Sequence, residues 1–224
     1  MSKSLLIIGV MFALAGCAGR PGVNSPQQLT PDLPYRTWEI GLLAPNYMEA
    51  WVESVDVLDR QGHAYVRVHG GLPSIQNPPE GRGNPAGWPL RPGSGATRPM
   101  TGIDLPEIVF VRWQSLVEPQ TYRVRIDIPH ELRQEMLTQY SAVCRFDGVA
   151  IEDYRKVVTI GLAPGGIAKA WLSGDCLEPV EIGRFEGSIH PEGPYEGTSG
   201  GKHRPLSPEA QAYIEKHEIP FNSW

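Results

Sequence analysis

The chain has 224 residues, including 25 Gly, 22 Pro and three Cys, with 41% hydrophobic and 20% charged positions. That length suits one large or two small domains with a real core. Gly plus Pro fill about a fifth of the chain, high for a helical bundle yet short of low complexity. A formal charge of −5 argues against a dedicated nucleic-acid binder, which shows a concentrated basic face.

In chain order, Lys3 supplies a positive start, and Leu5 to Ala15 form an apolar run broken only by Gly9. Eleven helical residues span about 16 Å, too short for a hydrocarbon core of roughly 30 Å. Residues 1–16 are therefore expected to be a signal peptide rather than an anchor helix. The run ends in Leu14-Ala15-Gly16-Cys17, which resembles the bacterial lipobox. That resemblance implies cleavage before Cys17 and acyl chains such as palmitate on its thiol and new amine, a stable membrane attachment. Ala18 follows, where Asp would imply inner-membrane retention, so the expected location is the periplasmic leaflet of the outer membrane. Loss of residues 1–16 leaves 208 residues and a charge of −6. Residues 17–34, rich in Pro, Gln and Asn, read as a flexible membrane tether.

Residues 35–224 are expected to form a single β-rich domain. Residues 36–43 and 51–59 are rich in β-branched and aromatic side chains, and Arg60-Gln61-Gly62 makes 51–68 a predicted hairpin. Strands are expected at 107–113 and 122–128. In the second, Tyr122, Val124, Ile126 and Ile128 point inward, with Arg123, Arg125 and Asp127 outward. Further strands are expected at 156–162, 167–172 and 180–185. One short helix is predicted from Pro129 to about Tyr140 and another from Ser207-Pro208-Glu209 to about Lys216. The fold class is mainly β (α+β): a β-sandwich-like body with two short helices and long Gly/Pro-rich loops. An internal echo places Ile40-Gly41-Leu42 eleven residues before Trp51 at its Ile, and Ile160-Gly161-Leu162 likewise before Trp171. It suggests two related β-hairpin modules.

Fifteen of the 33 positions in 70–102 are Gly or Pro, which predicts a long loop without ladder pairing. Its Arg82, Trp88, Arg91 and Arg98 are candidate partner-binding anchors, since Arg and Trp dominate interface energetics. With Cys17 lipidated, Cys144 and Cys176 are the remaining thiols, and an oxidising compartment predicts a disulfide between them. Gly197-Thr198-Ser199-Gly200-Gly201 resembles the nucleophile loop of chymotrypsin-like proteases, and His63 and Asp104 precede it in that family's order. The context fails: His63 lacks the family's flanking residues, Thr198 replaces an Asp, and too little chain follows Ser199. Glu152-Asp153 reads as surface charge on a turn and Glu131 with Glu135 as charge on a helix. The six histidines hold no metal-ligand spacing. No catalytic residue, metal or cofactor is assigned, and the protein is expected not to be an enzyme.

Trp38-Glu39-Ile40-Gly41, Leu105-Pro106-Glu107, Val111-Arg112-Trp113-Gln114-Ser115, Ile160 through Gly166 and the tail Ile219-Pro220-Phe221-Asn222-Ser223-Trp224, together with the lipobox, resemble a bacterial lipoprotein family of formerly unknown function. These are the type VI secretion lipase immunity-like lipoproteins. The resemblance implies a periplasmic, membrane-tethered immunity protein that binds and inhibits a phospholipase or lipase effector, its cognate toxin. Two other classes stay open: a structural or assembly lipoprotein of the envelope, and a periplasmic module for a small ligand.

Overall fold

A computed structural model describes residues 31–224. The expected signal peptide, Cys17 and most of the expected tether lie outside the described residues. Those described form twelve strands and two α-helices: β1 Thr37–Leu43, β2 Ala50–Asp59, β3 Ala64–Gly71, β4 Ala96–Thr101, β5 Pro106–Ser115, β6 Gln120–Asp127, α1 His130–Leu137, β7 Gln139–Val143, β8 Ala150–Tyr154, β9 Val157–Ala163, β10 Ile167–Ser173, β11 Val180–Glu186, β12 Ser188–Ile189 and α2 Pro208–Ile214. The first sheet has the order β11-β10-β9-β1-β4, the second β12-β6-β5-β2-β3, and β7 with β8 forms a separate hairpin. β1 and β9 run parallel, whereas the other strand pairings are antiparallel.

The two large sheets form a sandwich because each offers an apolar face to the other. Trp38, Ile40 and Leu42 of β1, with Val158, Ile160 and Leu162 of β9, meet Val55 and Val57 of β2 and Val109, Val111 and Trp113 of β5 in one buried cluster. On β6 the inward set is Tyr122, Val124 and Ile126, with Ile128 just beyond the strand, as the alternation predicts. The edges of the sheets are stitched together. The His69 Nε2 on β3 lies 2.8 Å from the Ala96 carbonyl on β4. The chain crosses from β11 to β12 at Gly187, where an added Cβ would lie 2.9 Å from the Arg123 carbonyl and 3.0 Å from the Trp113 ring.

The first sheet is covered on its outer side as well, and this corrects the reading of residues 70–102. That segment is no unpaired loop: β3 runs through Gly71, and β4 pairs with β1 from Thr37↔Thr101 to Leu42↔Ala96. Between them, residues 84–95 fold back across β1 and β9. The outward positions there are Gly41 and Gly161, on neighbouring parallel strands. A Cβ on Gly41 would sit 1.6 Å from the Ser94 carbonyl, and one on Gly161 would sit 2.6 Å from the Trp88 ring. Glycine alone allows such close approach of a second layer. Thr159 Oγ1 donates to the Gly93 carbonyl at 3.1 Å, and Trp88 meets Trp171 edge-on at 5.6 Å. All seven residues of β9 are buried as a result.

These glycines also explain the internal echo, and remove its hairpin interpretation. The two Ile-Gly-Leu segments are equivalent as adjacent strands under one covering layer, but the chain leaves them by different routes. After β9, Gly165 and Gly166 both adopt positive φ and turn β10 straight back onto β9. After β1, residues 44–49 carry the chain to the second sheet, where β2 pairs with β5 and β3. Three further expectations are corrected. Residues 139–154 form the β7–β8 hairpin, so α1 stops at Leu137 and Tyr140 lies on a strand. Glu152-Asp153 sits within β8 rather than on a turn. The second helix ends at Ile214, two residues short.

A second buried cluster closes one end of the sandwich. Tyr47, Met48, Val117, Ala163, Ile167 and Trp224 pack there, with Trp88, Tyr213 and Ile219 against them. Trp224 Nε1 donates to the Pro85 carbonyl at 2.8 Å, and Arg184 Nε donates to the Trp224 carbonyl at 2.6 Å. The C-terminal segment thus fastens the covering loop from outside. Ser207 caps α2 by accepting from the Ala210 amide at 3.2 Å, and its own amide donates to Glu49 at 2.9 Å.

Replacing Gly161 by Ala forces the Trp88 ring off its seat. The expected cost is about 1–3 kcal/mol in urea unfolding, with altered near-UV circular dichroism. Unchanged stability and spectrum would contradict the seating of Trp88. A second prediction concerns acid. Burial pushes the Asp104 carboxyl up, but hydrogen bonds from Arg60, Gln61 and the Leu105 amide more than offset this and hold its pKa below the usual range. Asp153 is treated the same way by burial against Lys156 and two backbone amides. A depressed folded pKa stabilises above the unfolded value of about 4 and ceases to do so as pH falls through the folded value. Stability should therefore fall as pH drops below about 4, and the double variant Asp104→Asn/Asp153→Asn should flatten that limb while lowering stability at pH 7. An unchanged acid limb in denaturant titrations would contradict this.

Candidate binding site: a disulfide-braced apolar edge

Three segments meet beside the first sheet: the β7–β8 turn at 144–149, the turn after β10, and the covering loop. The β7–β8 turn is closed by the Cys144 amide donating to the Val149 carbonyl at 2.8 Å, and by Asp147 Oδ1 accepting from the Val149 amide at 2.9 Å. Gly148 takes φ 72° there, the left-handed conformation that makes Asp-Gly a hairpin turn signal. Cys144 and Cys176 are joined by a disulfide with Cα atoms 4.9 Å apart. The second turn is held by the Asp175 amide donating to Asp153 Oδ2 at 2.8 Å.

Glu178 ties the covering loop to the hairpin. Its Oε1 accepts from Arg91 and also from Arg145 at 3.3 Å. Next to those arginines stand the most exposed apolar side chains of the described residues, Leu90 at 97% and Phe146 at 85%, with Val143 and Val149 also exposed. A cleft of about 660 Å³ opens between the segments, lined by Phe146, Val149, Ile151, Leu177 and the disulfide itself. The arginines are matched by Glu178, and Asp147 and Asp175 add negative charge to the rim. The edge is apolar without an unpaired cation. Such a surface associates through burial of apolar area.

The structure scatters the four sequence-derived anchors. Arg82 lies beside Glu80 at 3.8 Å and is exposed. Trp88 is half-buried against the sheet, and its Nε1 has no partner. Arg98 is an exposed residue of β4 opposite Ile40. Arg91 alone joins the edge. Sequence reasoning misses Leu90 and the Phe146 tip, although Asp147-Gly148 between Val143 and Val149 carries the hairpin signal. The protease-like set is not assembled: His63 Nδ1 faces Asp59 at 3.3 Å, Asp104 pairs with Arg60 at 2.8 Å, and Ser199 Oγ donates to the Pro194 carbonyl at 3.2 Å. Among the described residues no group of three or more His, Cys, Asp or Glu could hold a metal ion. No described helix is long and apolar enough to cross a membrane.

Fold and edge together define a mainly β sandwich carrying a disulfide-braced apolar edge. The chain belongs to the family described as "Protein of unknown function (DUF2931)", which matches residues 23–222. No curated protein and no solved structure matches it.

The disulfide closes a loop of sequence separation 32, worth about 3–4 kcal/mol in the chain-entropy model. Replacing both cysteines by Ser should lower stability by that amount. It should also speed amide hydrogen exchange at 144–149 more than in the second sheet. Equal acceleration in both regions would contradict a local bracing role.

Proposed function

We propose that this protein is a periplasmic, membrane-tethered immunity protein that binds and inhibits a phospholipase or lipase effector of type VI secretion. The observation that supports this reading most is the exposure of Leu90 and Phe146 beside Arg91 and Arg145, which Glu178 ties together next to the disulfide. Large apolar side chains carried on a braced backbone lose less chain entropy on binding than those on a free loop, which favours an inhibitor. An enzyme that acts on lipid displays apolar surface around its active-site entrance. An apolar edge without free cations complements that surface and can obstruct lid movement. Insertion of the edge into an anionic leaflet is the less favoured alternative, since both nearby arginines are paired and such binding draws on unpaired basic residues. Acylation of Cys17 would hold the inhibitor at the surface its target attacks and raise its effective concentration.

The test is co-expression of the full-length chain with type VI secretion lipase effectors directed to the periplasm, beginning with any lipase found encoded beside its gene. Rescue of growth and co-purification are expected. Phe146→Asp and Leu90→Asp should each weaken binding at least 30-fold, a loss of about 2 kcal/mol typical of an interface anchor, with circular dichroism unchanged. Full rescue and unaltered affinity with both variants would overturn the assignment of the edge. Absence of rescue by the natural chain would overturn the immunity reading.

A further inference from the structure

The outer face of the second sheet is covered over only part of its area. Residues 194–204 lie on one half. Glu53, whose side chain is 1% exposed, accepts there from Gln114 Nε2 and the Tyr195 amide, both at 2.8 Å. Arg204 stacks over Trp51 with its guanidinium carbon 3.7 Å from the ring centroid. The other half is open and forms a cleft of about 420 Å³, lined among others by Phe110, Arg112, Arg123, Arg125, Ser188 and His190.

The register orders these side chains. Ser188 of β12 is opposite Arg123 of β6, Arg123 is opposite Arg112 of β5, and Arg112 is opposite Ser54 of β2. In the next outward row Arg125 is opposite Phe110, and Phe110 is opposite Asp56. The charges in the cleft are not equivalent. Arg112 is held by Glu53 at 2.8 Å and Glu196 at 2.6 Å, and Arg125 by Asp127 at 2.6 Å. Arg123 has no carboxylate partner among the described residues; its Nε reaches Ser188 Oγ at 3.4 Å. His190, two residues after Ser188, is 9% exposed, and neither of its ring nitrogens has a hydrogen-bond partner. Leaving a buried donor and acceptor unpaired is costly, and such groups in a cleft point to a ligand that pairs them. Asp56 also lines the cleft, but on β2, two strand spacings or roughly 10 Å from the β6 row.

We propose that this cleft binds a small organic carboxylate. Its oxygens take the Arg123 guanidinium, the Ser188 hydroxyl and the His190 ring as partners, and its apolar body lies along Phe110, which is 40% exposed. One unpaired arginine matches one negative charge, and its planar fork matches a carboxylate in two parallel hydrogen bonds. The site shares no lining residue with the apolar edge, so the two readings stand or fall separately.

Titration calorimetry of the full chain with sodium hexanoate tests it, with sodium acetate and inorganic phosphate as comparison probes. Saturable hexanoate binding is expected, weakened at least 10-fold by Arg123→Gln and unaffected by Arg98→Gln, an exposed arginine elsewhere. Phe110→Ser should weaken hexanoate more than acetate, and the His190 ring resonances should shift on addition of hexanoate. Phe146→Asp should leave hexanoate binding intact. Absence of saturation, equal loss with both arginine variants, unmoved His190 resonances, or phosphate binding at least as tightly as hexanoate would each overturn the proposal.

Discussion

Much of the architecture depends on the absence of two side chains. Gly41 and Gly161 lie on adjacent parallel strands with their outward positions beneath Ser94 and Trp88. A methyl group at either would collide with the layer above, at 1.6 Å and 2.6 Å respectively. Because both positions are bare, a Gly/Pro-rich segment that cannot form a ladder can lie flat on the sheet and bury it. That burial turns β9 into a strand enclosed on both faces. It also carries Leu90 and Arg91 to the hairpin that holds Phe146. The C-terminal Trp224 then fastens the same segment through the Pro85 carbonyl. Sheet, covering loop, C-terminal segment and apolar edge are thus mechanically connected.

The second sheet uses a related device with polar fastenings. Glu53 gathers Arg112, Gln114 and the Tyr195 amide, so a buried carboxylate holds down the segment after β12. His203 meets Thr121 at 3.2 Å, and burial pushes its imidazole pKa down, which favours the neutral ring. A buried charge with this many donors is tolerated because its lone pairs are satisfied. The cover ends at the His190 row, where both ring nitrogens lack partners beside an open cleft. It is the coincidence of an unpaired imidazole, an arginine without a carboxylate and an open cleft that marks this half of the sheet as a candidate ligand site.

The strands are readable in the sequence where alternation is clean. Tyr122 to Ile128 shows it best, because one face meets the core and the other meets solvent. β9 is readable as an apolar run, but its sequence does not reveal that both faces are covered. The Cys144–Cys176 disulfide can be reached from compartment and count. The covering role of residues 84–95 is not legible, since composition records only that Gly and Pro exclude regular pairing. Those residues are seated by a pair of glycines 40 or more positions away, and the partnership appears only when β1 and β9 lie side by side. The repeated Ile-Gly-Leu is the trace of that partnership, and it resembles a hairpin signature because the turns after each copy look alike. The edge escapes for a similar reason. Leu90 and Phe146 are 56 positions apart in the chain and are united by Glu178, a surface residue with no signature of its own.

The proposed contact surface is the disulfide-braced edge, with the covering loop as its support. Hydrogen–deuterium exchange of the full-length chain, alone and with the lipase effector it rescues against, tests this most directly. Protection on binding should appear at residues 88–92 and 144–149 and leave residues 188–192 unchanged. Protection confined to other surfaces, with both of those segments unaffected, would contradict it.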